Sequence, residues 1–268
     1  MSSLLQFDQN EIMTFFAVLV RFSVIIATLP FLGDKSVPAP AKILLSVAIT
    51  LVVYPILVSS GQVRPAEAAI WAAQASTLGG VIAKEALFGA VVGFSARMVF
   101  DAIQIGSDIA GSFMGFASAS VFDPHQETQT QVVAKIQTTI AMLIFLAMDG
   151  HHLMLRSALD SYRLVGMGKA EFGAIFADKL IHFSGEVLRM GLQIAAPMAV
   201  ALFGINIFYG VMARAVPQLN VLVLSFSISA FVGLFVMLLS VPEFQDVTST
   251  MFGNIGTHMT AVMASMGR

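Results

Sequence analysis

Residues 106–124 read GSDIAGSFMGFASASVFDP, with long apolar segments on both sides. The run holds Gly106, Gly111 and Gly115, closes on Asp123-Pro124, and carries Phe113, Met114, Phe116 and Phe122. Unpaired backbone amides cost several kcal/mol in hydrocarbon, so irregular backbone persists there only under protein cover or beside a cavity. The stretch therefore predicts a Gly-rich central loop whose large flexible side chains form a constriction or plug in a protein-lined space. The alternative is a helix in which the same glycines let a neighbour approach closely.

The composition outside this stretch sets the class. The 268 residues are 57% hydrophobic and 11% charged, with a mean hydropathy of +0.85. These values exclude an ordinary soluble domain and predict an all-α, polytopic membrane-type protein built of helical hairpins. A net charge of −2 offers no basic face for nucleic acid. Without cysteine there is no disulfide, thiolate catalyst or cysteine-ligated metal. MSSLLQFDQNEI carries no Lys or Arg, unlike the basic region of a secretory signal, so the first apolar run reads as a retained helix.

Residues 12–32 and 41–59 are the first two spanning candidates, separated by a loop with Gly33, Pro38 and Pro40. Arg21, near the middle of the first, must face protein, water or an acidic partner. From Ala66 to Phe100 the chain predicts one long helix or a shallow hairpin bent at Gly79-Gly80. A polar loop, HQETQTQ, follows the central stretch, then a span over 130–148 that stops at Asp149-Gly150. Residues 153–179 are moderately amphipathic. Long helices over 181–213 and 218–241 form a hairpin turning at Pro217, with Pro197 bending or breaking the first arm. The tail, 243–268, spaces Met251, Phe252, Ile255, Met259, Val262, Met263 and Met266 as a surface or partner-bound amphipathic helix would. Lys35 and Lys42 follow an N-terminus free of basic residues. The positive-inside rule then puts both termini outside.

Charges within apolar sequence are functional candidates by default. Arg21, Lys84, Glu85, Arg97, Asp101, Asp108, Glu186, Arg189 and Arg214 qualify. Their mixed signs and close spacing favour structural pairing over a proton relay, with Arg97 and Asp101 able to pair at i,i+4. Asp149, His151 and His152 read as a solvated helix end rather than a metal site. No HExxH, Walker, GxSxG or dinucleotide motif is present, which argues against an enzyme and against cofactors. Gly89-Ala90-Val91-Val92-Gly93 matches the GxxxG packing motif.

Several segments together resemble the FliR family of flagellar type III export-gate proteins. Arg21 followed by Pro30, then Pro38 and Pro40, is similar to its first signature. AGSFMGFASASVFDP (Ala110–Pro124) resembles its central loop, and DGHHLMLRSALDSYRLV (Asp149–Val165) its next signature. ARAVPQLNVLVLSFSIS (Ala213–Ser229), with Arg214, Pro217 and Gln218, resembles its C-terminal hairpin turn. The resemblance implies a non-enzymatic, single-copy subunit that joins FliP-like, FliQ-like and FlhB-like subunits in a gate passing unfolded protein. It implies a FliP-like part (1–179, with the plug at 106–124), a FliQ-like hairpin (180–242) and a C-terminal tail (243–268). It also implies a place in the bacterial inner membrane, within the flagellar basal body, the assembled gate lying largely on the periplasmic side. On this reading Phe113, Met114, Phe116 and Phe122 face the channel on hinges including Gly106, Gly111, Gly115 and Pro124. The competing readings are a virulence type III gate subunit and a secondary transporter or channel acting alone.

Overall fold

The computed structural model describes residues 8–30, 32–33, 37–114, 130–216 and 221–267, and among these there is no β-strand. The chain is all-α. Helix α1 (Gln9–Thr28) starts at Asp8, whose backbone N–H donates to Glu11 Oε2 at 3.3 Å, half of a capping box. Helix α2 (Ala39–Ser59) begins just after Pro38, with Pro40 in its first turn, where the missing amide hydrogen costs nothing. It packs back on α1 as a hairpin. A 3₁₀ turn (Pro65–Glu67) and the short α3 (Ala68–Trp71) lead into α4 (Ala75–Phe113). Helix α4 runs unbroken through Gly79-Gly80, so the long-helix reading holds and the hairpin alternative does not.

Next come α5 (Thr130–Ala147) and α6 (Gly150–Leu164). Asp149 joins them with φ 54°, a left-handed conformation that Asp tolerates better than most residues. A Cβ at Gly150 would run into the Phe145 ring, so the chain turns there without a side chain. Helix α7 (Ala174–Ala215) passes through Pro197 without a break, so of the two expectations there, a bend or a break, the break does not hold. Helix α8 (Val221–Leu239) follows. No single helix therefore joins the two arms of the hairpin, while Pro217 and Gln218 lie outside the described residues.

The tail departs from expectation. It forms α9 (Val241–Gly253) and α10 (Ile255–Met266), and all seven apolar residues read as a docking face are buried within the chain. The Glu171 N–H donates to Met266 O at 2.8 Å. The tail is thus core, because its apolar stripe is covered by the protein's own helices.

Among the described residues, helices α1, α2, α4 and α7 are each long and apolar enough to cross a membrane, and the number is up to six if each of two bent pairs forms one span. Four buried hydroxyls inside these helices are satisfied locally. Thr14, Thr50, Ser95 and Ser107 each donate to the carbonyl four residues back.

Packing divides the chain into two units, each assembled from separated segments. One comprises Met1–Met98, His151–Phe183 and Ile255–Arg268; the other comprises Val99–Gly150 and Ser184–Asn254. The first is cored by Val18, Phe22 and Ile25 of α1, Phe88 and Val92 of α4, Tyr162 of α6 and Met259 and Met263 of α10. In the second, Phe100, Phe145 and Phe252 form a ring triad with centroids 4.9–5.2 Å apart, and α9 packs on α5.

Candidate functional site

The central stretch lies only partly in the described residues. Its first part is not a loop: α4 continues through Gly106 and Gly111 to Phe113 and ends in a turn at Met114. The reason is contact. A Cβ on Gly106 would collide with the Gly191 carbonyl of α7, and one on Gly191 would sit 2.8 Å from Ala102 O. Gly106 is thus a close-packing glycine, as the alternative reading has it. Ser107 and Ser112 donate to Ile103 O and Asp108 O, so their hydroxyls do not compete with the helix. Gly115, Phe116, Phe122 and Pro124 lie outside the described residues.

Gly106, Ala110 and Met114 share one helix face at i, i+4 and i+8, and all three are buried. Met114 is 0% exposed in an apolar cluster with Ala110, Val133 of α5, and Met198 and Leu202 of α7. Phe113, Ile205, Val236 and Met237 pack against this cluster. Opposite Met114 stands Gly233 of α8, where a Cβ would lie 2.5 Å from Met114 Cγ and 2.8 Å from its Cε. Met114 thus occupies a seat between α7 and α8, and Phe113 flanks it. Met114 is fully covered, and Phe113 is half-buried. Methionine suits such a seat, being unbranched and able to fill an irregular gap.

The charged residues resolve differently from their sequence neighbours. Arg21 in α1 is fully buried and forms a two-pronged ion pair with Glu85 in α4, Nη2 to Oε1 being 2.9 Å and Nε bonding Oε2. Its Nη1 donates to Ser161 Oγ at 3.1 Å and to Val165 O at 3.2 Å. The guanidinium lies between two rings, 3.8 Å from the centroid of Tyr162 and 4.3 Å from that of Phe88. Glu85 also accepts from Tyr162 OH at 3.3 Å and from the Gly168 N–H at 2.7 Å. Gly168 has φ +66°, which a glycine supplies at no steric cost. Every polar atom of the pair thus meets a partner, as burial of charge requires.

Lys84, one residue from Glu85 and about 100° round the helix, is exposed. Neither Arg97 nor Asp101 lacks a partner. Arg214 is exposed in the last turn of α7, where a cation complements the helix dipole. Sequence reading left protein, water or an acidic partner open for Arg21, and it missed Tyr162 and Ser161 altogether. One signal was available. Glu85 shares the apolar face of Phe88, Gly89 and Val92, so its carboxylate points where Lys84 does not. The same face carries the GxxxG pair. Cβ atoms at Gly89 and Gly93 would meet Arg21 O and Thr28 of α1, so here the motif is a real helix contact.

With this geometry in view, the comparison with known families is decisive. The family model for bacterial export proteins, family 1, matches residues 12–255. The chain belongs to that family. The chain is similar to the flagellar biosynthetic protein FliR of Pectobacterium carotovorum subsp. carotovorum, 29% identical over 246 residues, 92% of this chain and 91% of the relative. FliR of Escherichia coli (strain K12) is 25% identical over 252 residues, 94% of this chain and 93% of the relative. FliR of Bacillus subtilis (strain 168) is 28% identical over 229 residues, 84% of each. The family match contains both the Arg21–Glu85 network and the Met114 seat.

Proposed function

We propose that this chain is a single-copy subunit of the flagellar type III export gate, lining and closing the channel through which unfolded flagellar proteins leave the cell. The observation that carries this is membership, nearly end to end, in the export-protein family beside relatives named FliR. Helix lengths support it. Helices α4 and α7 have 39 and 42 residues, about 58 and 63 Å at the usual rise, against a hydrocarbon core of about 30 Å. Helices of that length suit contact with other subunits better than a simple crossing of lipid. Large apolar side chains such as Val200 (73% exposed) and Phe231 (74%) await cover along α7 and α8. The covering partners on this reading are FliP-like, FliQ-like and FlhB-like subunits in the inner membrane of a flagellar basal body, the assembled gate standing largely on the periplasmic side. Residues 1–179 act as the FliP-like part and 180–242 as the FliQ-like hairpin.

The gating part of the proposal lies in 106–124. Soft apolar side chains closing a narrow bore exclude water and ions, and withdraw for a polypeptide, without chemistry or cofactor. Deleting Phe113–Phe116 leaves an assembled complex that leaks ions and small solutes, read as conductance across membranes carrying it. An intact complex with no added leak would overturn the plug, and loss of the complex would favour a pure packing role for the stretch. Purification in mild detergent brings down two small polytopic partners, whereas a homogeneous homo-oligomer would argue for a transporter acting alone.

A further inference from the structure

Pro197 stands inside the 42-residue α7, yet the helix continues past it. Proline has no N–H, so the carbonyl of Gln193, four residues back, loses its α-helical donor. In apolar surroundings such a carbonyl needs another partner, from a neighbouring helix or an ordered water. Gln193 and Pro197 line a cavity that leaves about 10 Å³ for the centre of a water-sized molecule. That is the size of one water site. Gln137 of α5 and Glu243 and Phe244 of α9 close the other sides. All these residues belong to the unit formed by Val99–Gly150 and Ser184–Asn254.

Two further groups at the cavity want a partner. Gln137 is 4% exposed, and its buried Oε1 has no hydrogen-bond partner among the described residues. A side-chain acceptor so buried is normally bonded. The second group is a donor. Ser240, just before α9, gives its hydroxyl to Val236 O at 2.7 Å and makes no side-chain cap. The N–H of Glu243, in the first turn, then has no acceptor within its own helix.

We infer that a single water occupies this cavity, donating to Gln137 Oε1 and Gln193 O and accepting from the Glu243 N–H. It replaces the rung that Pro197 removes from α7 and joins α5, α7 and α9 at one point. Three hydrogen bonds are what a buried water usually makes. A cation fits less well, because it cannot accept from an amide. The Glu243 carboxylate also lines the cavity, but that side chain is exposed, so bulk solvent balances its charge. The site needs nothing from the export-gate reading, since every partner lies within this chain.

Brief radiolysis of the full chain, purified in mild detergent, tests for the water, because hydroxyl radicals made from a bound water oxidise the side chains around it. Met198 lines the cavity, whereas Met114, in the same apolar cluster, does not. Both are buried, at 1% and 0% exposure. Met198 is oxidised to the sulfoxide about tenfold faster than Met114. Pro197→Ala returns an N–H to Gln193 O, and Gln137→Leu removes the buried acceptor at similar volume. Each brings Met198 oxidation to within about twofold of Met114. Equal oxidation of the two methionines in the parent overturns the water. So does a fast Met198 rate that both variants leave unchanged, since the radicals then come from bulk solvent. A Met198 rate that changes when sodium and potassium are replaced by choline marks a bound cation and overturns the water as well.

Discussion

Arg21 is the residue that the apolar sequence makes hardest to place. Unpaired at the middle of a span it would cost about 2.5–3.5 kcal/mol on the insertion scale. The fold meets that cost with a fork-to-fork carboxylate, two further acceptors and two aromatic faces. Removing one partner leaves a buried charge with nothing opposite. Glu85→Gln or Arg21→Met alone therefore lowers stability by about 3–5 kcal/mol, measured as thermal unfolding in detergent. Arg21→Lys also loses much of it, since an ammonium can neither fork onto Glu85 nor stack between Phe88 and Tyr162. The double variant Arg21→Met/Glu85→Leu recovers most of the loss, though not all. The Gly168 N–H then has no acceptor, at about 1–3 kcal/mol. Single variants as stable as the parent would show that the network is incidental.

Among the elements, α4 carries glycines of two kinds. Gly89 and Gly93 press on the backbone and side chains of α1, whereas a Cβ at Gly79 or Gly80 would meet nothing within 4 Å. The same substitution then has opposite signs. Gly89→Ala destabilises the isolated chain by about 1–3 kcal/mol, because Arg21 O stands in the way. Gly79→Ala stabilises it by about 0.5–1 kcal/mol, because only helix propensity changes. Unfolding of both variants in the same detergent decides the matter, and equal shifts would mean that the α1 contact is slack. The C-terminal helices give a further contrast. Ile255, Met259, Val262, Met263 and Met266 of α10 are buried. A chain ended after Asn254 therefore fails to reach a protease-resistant fold in membranes. A tail serving only to dock on a partner would leave a resistant chain that does not assemble.

For the molecule as a whole, composition, length and the spacing of Gly and Pro determined that it is a helical membrane-type protein and roughly where α1, α2, α5 and α8 lie. Sequence motifs also placed it among the export proteins, and Arg21 by its position demanded cover by protein, water or an acidic partner. Which partner was decided only in three dimensions: Glu85 is 64 residues away, and Ser161 and Tyr162 lie 140 and 141 residues on from Arg21. Tertiary structure also decided that Gly106 belongs to a helix packed on Gly191, that Met114 lies seated over Gly233, and that the tail is core. The physical reason is the same in each case. A helix period tells which face is apolar only when the other face is polar. In a chain that is 57% hydrophobic nearly every face is apolar, so the contrast that reveals burial is lost. What covers each face is then set by close fits of shape and by pairing of the few charges. Both join segments far apart in the chain, as in the two units built from separated stretches.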